Sequence, residues 1–527
     1  MTMTQMIRRQ AAATLAIFLL LAAAGPALAE VKLASPFTDH MVLQRDRKVP
    51  VWGTADPGER VTVEFAGQKK AVTAGADGKW RVNLDAMAAA EEGRTLIVTG
   101  SATPTPLQCN DVLVGEVWLC SGQSNMDFTV ARTVKHYFAG VTNEAEEVAA
   151  ANYPTIRMFT GEWRRSYEPQ STVPGTWRVC TPENVREFSA IGYFFARDMR
   201  QELKVPFGIV NESFGASTAE AWISREALAA DRHLKPLLER FDTNVGAFKA
   251  NPPDQTAALK AWQAAAARAK AAGRNPPRRP ADPNPIQDQH NPTVMFNGMI
   301  APIIPYAIKG VLWYQGEAIN GGTNGYQLYP LLQATLIKDW RRRWDEGAFP
   351  FYICQLAALK ASPTRPDTAF NNPNVREAQA TVLSLRNTGM AVTIDIGDPV
   401  NIHPKDKQDV ANRLMRIALA KTYGRKLEYS GPVYESMKIV AGAIHLRFTH
   451  VTGGLVARGG DLQTFTIAGK DGKFVPATAR IEHDTVIVSS PGAPEPVAVR
   501  YAWANYPEGC NLYNGEGLPA APFRTDR

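Results

Sequence analysis

Cysteine is scarce in this chain, five among 527 residues, and no two of the five form a CxxC pair. Scattered as Cys109, Cys120, Cys180, Cys354 and Cys510, they give no framework for a structural zinc ion or a thioredoxin-like redox site, and the odd count leaves at least one thiol unpaired. Long apolar runs are missing too. Beyond residue 29 no stretch reaches the ~20 apolar residues that a membrane-spanning helix needs. The excess of basic charge is modest: 58 Lys and Arg against 51 Asp and Glu leave +7, and no basic block is interleaved with aromatics. Nucleic acid is therefore excluded as the leading partner class.

What is present reads as ordinary globular material, 45% hydrophobic and 21% charged, long enough for two or three domains. Residues 1–29 carry Arg8 and Arg9, an apolar run over 11–24 and then Ala27-Leu28-Ala29, the pattern of an export signal with a small-x-small cleavage site. Its removal would leave +5 and place the chain in the periplasm or outside the cell, without stable membrane insertion. Residues 30–105 alternate apolar and polar in short runs separated by turns such as Asp56-Pro57-Gly58, which predicts a β-sandwich. From 106 to 428 apolar strands followed by polar loops and helical periods predict an α/β domain with a parallel sheet. Its key strands are expected at 112–119, 207–211, 310–314 and 391–396, with a helical insertion over about 224–291. Residues 429–527 return to strands and predict a closing β-rich domain.

Each of the four strands ends in a polar loop, and in open α/β sheets ligands bind beyond the carboxyl ends of the strands. The first runs into Gly122-Gln123-Ser124-Asn125-Met126, where Ser124 is the candidate nucleophile. Met126 stands where the GxSxG elbow of α/β-hydrolases has its second glycine, so that fold is not indicated. His403, in the proline-containing loop that leads from the fourth strand to a helix, is the candidate general base among eight histidines. An orienting carboxylate could be Asp398 or Asp395, with Asp398 preferred because Asp395 falls within the strand; a Ser-His dyad without an acid is the alternative. Oxyanion donors are expected from Gly215, where no side chain blocks approach of the N–H, and from the Gln315 side-chain amide. Trp118, Trp222, Trp313 and Tyr314 lie beside these motifs and could stack on a sugar ring or simply fill the core.

The motifs GQSNM at 122–126, GASTAEAW at 215–222, NGMIAPIIPYAIKGVLWYQGE at 297–317 and DIGDPVNIHPKDK at 395–407 resemble the sialate O-acetylesterase family of carbohydrate esterases, a branch of the SGNH hydrolases. The likeness extends over most of the chain beyond residue 29. It implies an SGNH-like α/β/α sandwich flanked by N-terminal and C-terminal β-rich domains, with Ser124 as nucleophile, His403 as base and an oxyanion hole from Ser124, Gly215 and Gln315. The chain departs from that pattern where an acid often precedes the histidine, having Val400 and Asn401, and in setting Asn320 one residue further from Gln315 than the usual QGESN form.

The chemistry so implied is a serine acyl transfer that removes acetyl groups from sugar hydroxyls and requires neither a metal nor an organic cofactor. The expected partner is an O-acetylated carbohydrate, either sialic acid or an acetylated plant polysaccharide such as xylan or xyloglucan. Rival readings are a noncatalytic glycan-binding protein on the same fold and a broader lipase or peptidase. Nothing in the sequence indicates the oligomeric state.

Overall fold

The computed structural model describes residues 30–103, 105–321, 325–360 and 372–526, with the side chains of 320 and 321 left out, so the expected export segment and the Asn320 side chain lie outside the described residues. Seven strands form the central sheet: β1 (Leu107–Gly122), β2 (Tyr153–Gly161), β3 (Gly175–Cys180), β4 (Phe207–Ser213), β5 (Gly310–Tyr314), β6 (Phe351–Cys354) and β7 (Thr388–Ala391). Their order is β3-β2-β4-β1-β5-β6-β7. All neighbours pair in parallel except β3, which runs antiparallel to β2 at the edge.

The sheet is buried on both faces because its strands are apolar at consecutive positions rather than at alternate ones. Val117, Leu119, Val210, Val311 and Trp313 enter one apolar core, while Trp118, Cys120, Ile209, Leu312 and Tyr314 enter the other. Helices α1 (Ala190–Leu203) and α5 (Lys407–Lys421) contribute to the second core, and α4 (Gly325–Trp344) contributes to the first. The insertion supplies α2 (Lys235–Ala250) and α3 (Thr256–Ala271); of α3 only Ala269 is buried, as its alanine-rich sequence predicts for a surface helix. All five cysteines are free thiols.

The N-terminal strands do not hang from a linker. The first half of β1 pairs with Ala90–Gly100 and Val42–Gln44, and its second half pairs with β4 and β5, so one 16-residue strand is shared by the N-terminal sheet and the central one. At the other end, a third apolar core joins Ala358, Val392 and Ile394 to the C-terminal strands. Arg376, 1% exposed, reinforces that junction by donating to the carbonyls of Leu356, Ala357, Ala504 and Asn505 at 2.8–3.0 Å.

The expected fourth strand is displaced. It ends at Ala391 instead of running to 396, and Asp395 has left the sheet to pair with Arg413. A buried carboxylate in a strand would lack a counter-charge, whereas outside the sheet it reaches Arg413 at 2.6 and 2.8 Å and the Tyr513 hydroxyl at 3.0 Å.

Candidate active site

Gly122 sets the geometry of the turn that follows β1. Its φ is +131°, in the region that favours glycine, and a Cβ there would overlap the Tyr314 carbonyl oxygen of the neighbouring strand. The chain then turns into the short helix Ser124–Asp127, anchored by the Gln123 N–H donating to Tyr314 O at 2.9 Å and the Gln123 side-chain oxygen accepting from the Gly316 and Ala318 N–H groups. Ser124 is thereby carried to the carboxyl end of the sheet.

His403 arrives from a sequence distance of 279 residues, with Nε2 2.8 Å from Ser124 Oγ. Its loop is folded by its own polar side chains: Asp398 Oδ1 accepts from the Val400 and Asn401 N–H groups at 2.9 and 2.8 Å, and Asn401 Oδ1 accepts from the His403 N–H at 2.9 Å. Phe138 lies against the imidazole with ring centroids 4.5 Å apart. Burial, helped by the positive charge of Lys407, pushes the His403 pKa down to about 4. A neutral imidazole is the form that can accept the serine proton.

Of the expected site residues, the structure brings Ser124, His403 and Gly215 together. A Cβ on Gly215 would stand 3.8 Å from that of Ser124, and among the described residues neither the Gly215 nor the Ser124 N–H donates to another protein group. Two expectations are corrected. Asp398 is not brought to the imidazole; its oxygen is held by backbone N–H groups two and three residues on, the local bonding that short carboxylates favour in turns. Asp395 is held by Arg413, and among the described residues no carboxylate pairs with the ring. Gln315 is fully buried, and its amide is turned inward: Nε2 donates to Ser217 O at 3.3 Å and Oε1 accepts from the Tyr329 hydroxyl at 2.8 Å. Through the bond to Ser217, Gln315 supports the loop that carries Gly215.

Trp118, Trp222, Trp313 and Tyr314 are at most 1% exposed and fill the core, with Trp118 stacked on Tyr352 and Trp222 edge-on to Trp313. The cavity in front of Ser124, about 690 Å³, is built from other parts. Glu220, Arg240, Asp288, His290 and Asn291 give it a polar wall, and Leu237, Leu328 and Leu332 give it an apolar one. His290 Nδ1 lies 2.6 Å from Asp288 Oδ1, and that hydrogen bond raises the pKa of His290. The insertion therefore lines the cavity. Only the folded path of the chain, not any local motif, brings these residues to the serine.

This geometry has counterparts among known proteins. Residues 289–420 match the family model for a carbohydrate esterase, sialic acid-specific acetylesterase. The sialate O-acetylesterase of Homo sapiens is 30% identical over 540 residues, covering 93% of this chain and 92% of the relative, and that of Rattus norvegicus is 29% identical over 544 residues, covering 93% and 94%. The solved structure of a carbohydrate acetylesterase from Xanthomonas citri is 36% identical, superposes with a TM-score of 0.77, and is covered over 99% of its length by 94% of this chain. With likeness running through nearly the whole sequence and the fold, the chain belongs to the sialate O-acetylesterase family of carbohydrate esterases.

Proposed function

We propose that this carbohydrate O-acetylesterase works by serine acyl transfer at Ser124 and His403. The observation that carries the reading is the 2.8 Å contact between Ser124 Oγ and His403 Nε2. His403 takes the hydroxyl proton as Ser124 attacks the acetyl carbonyl, and the N–H groups of Ser124 and Gly215 receive the oxyanion. The imidazolium returns its proton to the departing sugar oxygen. Water, deprotonated by the same imidazole, then hydrolyses the acetyl-serine and releases acetate.

The cavity supports a sugar in preference to a fatty acyl chain: its polar wall of Glu220, Arg240, Asp288, His290 and Asn291 offers donors and acceptors for ring hydroxyls. In this reading residues 106–428 form an SGNH-type α/β/α domain, 30–105 and 429–527 are the flanking β domains, and residues 1–29 direct export and are removed from the mature chain. Among the described residues no helix is long and apolar enough to cross a membrane.

Ser124→Ala is the direct test. Acetate release from O-acetylated sialic acid is expected to fall on the order of 10⁵-fold. A variant retaining a tenth of the parent rate would refute the mechanism, and better hydrolysis of long-chain esters than of acetyl esters would refute the substrate class.

A further inference from the structure

Asn125 follows the nucleophile directly, is 1% exposed, and makes bonds with both ends of its amide. Oδ1 accepts from Lys407 Nζ at 2.6 Å, while Nδ2 donates to the Ile402 carbonyl at 3.0 Å and to Glu317 Oε1. An amide nitrogen carries two N–H groups, so both donors are used. The three partners come from two segments: Ile402, immediately before His403, and Lys407, which opens α5, lie on the base's side, and Glu317 follows the end of β5. One side chain thus ties the nucleophile's turn to the base's loop.

The surroundings are costly for a role of filling space. Lys407 is 0% exposed, with Nζ 4.7 Å from the centroid of the Phe128 ring, and Glu317 is 7% exposed. Burial pushes the Lys407 pKa down to about 7 and raises that of Glu317, which shows what it costs to place such groups around an amide, and a hydrophobic trio of similar volume would fill the space at lower cost. Their arrangement leaves the Asn125 amide one orientation, with an N–H aimed at the Ile402 carbonyl. That contact matters because, among the described residues, no carboxylate orients the imidazole.

We propose that Asn125 is a positioning residue for His403: through the Ile402 carbonyl it fixes the base against the nucleophile, with Lys407 and Glu317 locking its amide. The role rests on the serine acyl-transfer reading and goes beyond it. It also explains the residue type, since aspartate would lose both donors and set a second carboxylate beside Glu317.

The test measures kcat and KM of the full chain on p-nitrophenyl acetate at pH 8, where His403 is neutral in every variant, at a temperature at which circular dichroism shows each variant folded. Asn125→Ala and the nearly isosteric Asn125→Asp are expected to lose about 10- to 100-fold in kcat, the scale set by misplacing a catalytic group by about 1 Å, with KM within about twofold of the parent. Lys407→Met keeps the bond to Ile402 and should lose less. If Asn125→Ala is unstable, Asn125→Asp carries the comparison. Retention of kcat within about threefold in Asn125→Asp would overturn the proposal, as would a rise in KM at constant kcat or a larger loss in Lys407→Met than in the Asn125 variants. Ser124→Ala in parallel separates the two failures: an inactive Ser124→Ala beside an active Asn125→Asp removes the tie alone, and an active Ser124→Ala removes the acyl-transfer reading.

Discussion

The acid limb of the rate profile should lie far below the usual histidine range. Burial is the larger cause and the Lys407 charge the smaller; together they bring His403 from 6.5 to about 4. In the proposed mechanism the base works when neutral, so activity depends on the fraction of unprotonated ring. At pH 5.5 a ring with a pKa of about 4 is about 97% neutral, whereas one at the ordinary value is about 9% neutral, a difference of about tenfold in kcat/KM. The assay is acetate release from O-acetylated sialic acid between pH 4 and 8, with thermal melts at each pH. Melts are needed because the unfolded ring binds its proton near 6.5 and the folded ring only near 4, so stability falls as pH drops through that window. Lys407→Met removes the nearby positive charge and should move the limb upward while leaving it below 6.5, since burial remains. A parent limb centred at 6 or above, or a downward shift in Lys407→Met, would refute the account of the site's electrostatics.

Two further outcomes follow from the loops that hold the dyad. Asp398→Asn should keep kcat within about tenfold of the parent, because the asparagine oxygen can still accept from the Val400 and Asn401 N–H groups; a loss of about 10⁴-fold, the scale seen when a triad acid is neutralised, would show that the carboxylate serves the imidazole. Gly122→Ala should destabilise the fold by about 2 kcal/mol or more and reduce activity with it, since it combines an unfavourable φ with overlap on the Tyr314 carbonyl; an unchanged midpoint in urea denaturation would contradict this.

How much of this was legible in the sequence varies with the distance over which the determining contact acts. The strand at 310–314 was readable because five consecutive apolar or small residues admit little else in a parallel sheet, and it is found over Gly310–Tyr314. Helix α5 is found where a helix was expected after the His403 loop, and the Asp406 side chain caps it by accepting from the Asp409 N–H. Ser124 and His403 could be chosen individually because each follows an apolar run, Ser124 close behind β1 and His403 in the longer loop beyond β7. The displaced fourth strand was not readable, because its end is decided by Arg413 and Tyr513, 18 and 118 residues away from Asp395. The setting of Gln315 was not readable for a related reason: a glutamine at a strand end has the right chemistry for an oxyanion donor, and its orientation is set by Ser217 and Tyr329. His290 gave no local signal either, since the insertion that carries it reads as surface helix until folding lays it over the cavity.

In the proposed serine acyl transfer, a low pKa at His403 also bears on how the two halves of the reaction are balanced. A ring at about 4 is a weaker base than an ordinary histidine and so gains less from removing the Ser124 proton, but its protonated form is correspondingly the stronger acid. A sugar alkoxide is a poor leaving group and departs only with a proton, so the strong acid serves the step that an acetylated sugar makes difficult. The loss on the base side then has to be offset by geometry, with the imidazole held 2.8 Å from the hydroxyl before attack and the N–H groups of Ser124 and Gly215 already free to bond. On this view the polar tie beneath the dyad and the depressed ring belong to one design, because a weak base is useful only where it cannot drift from its serine.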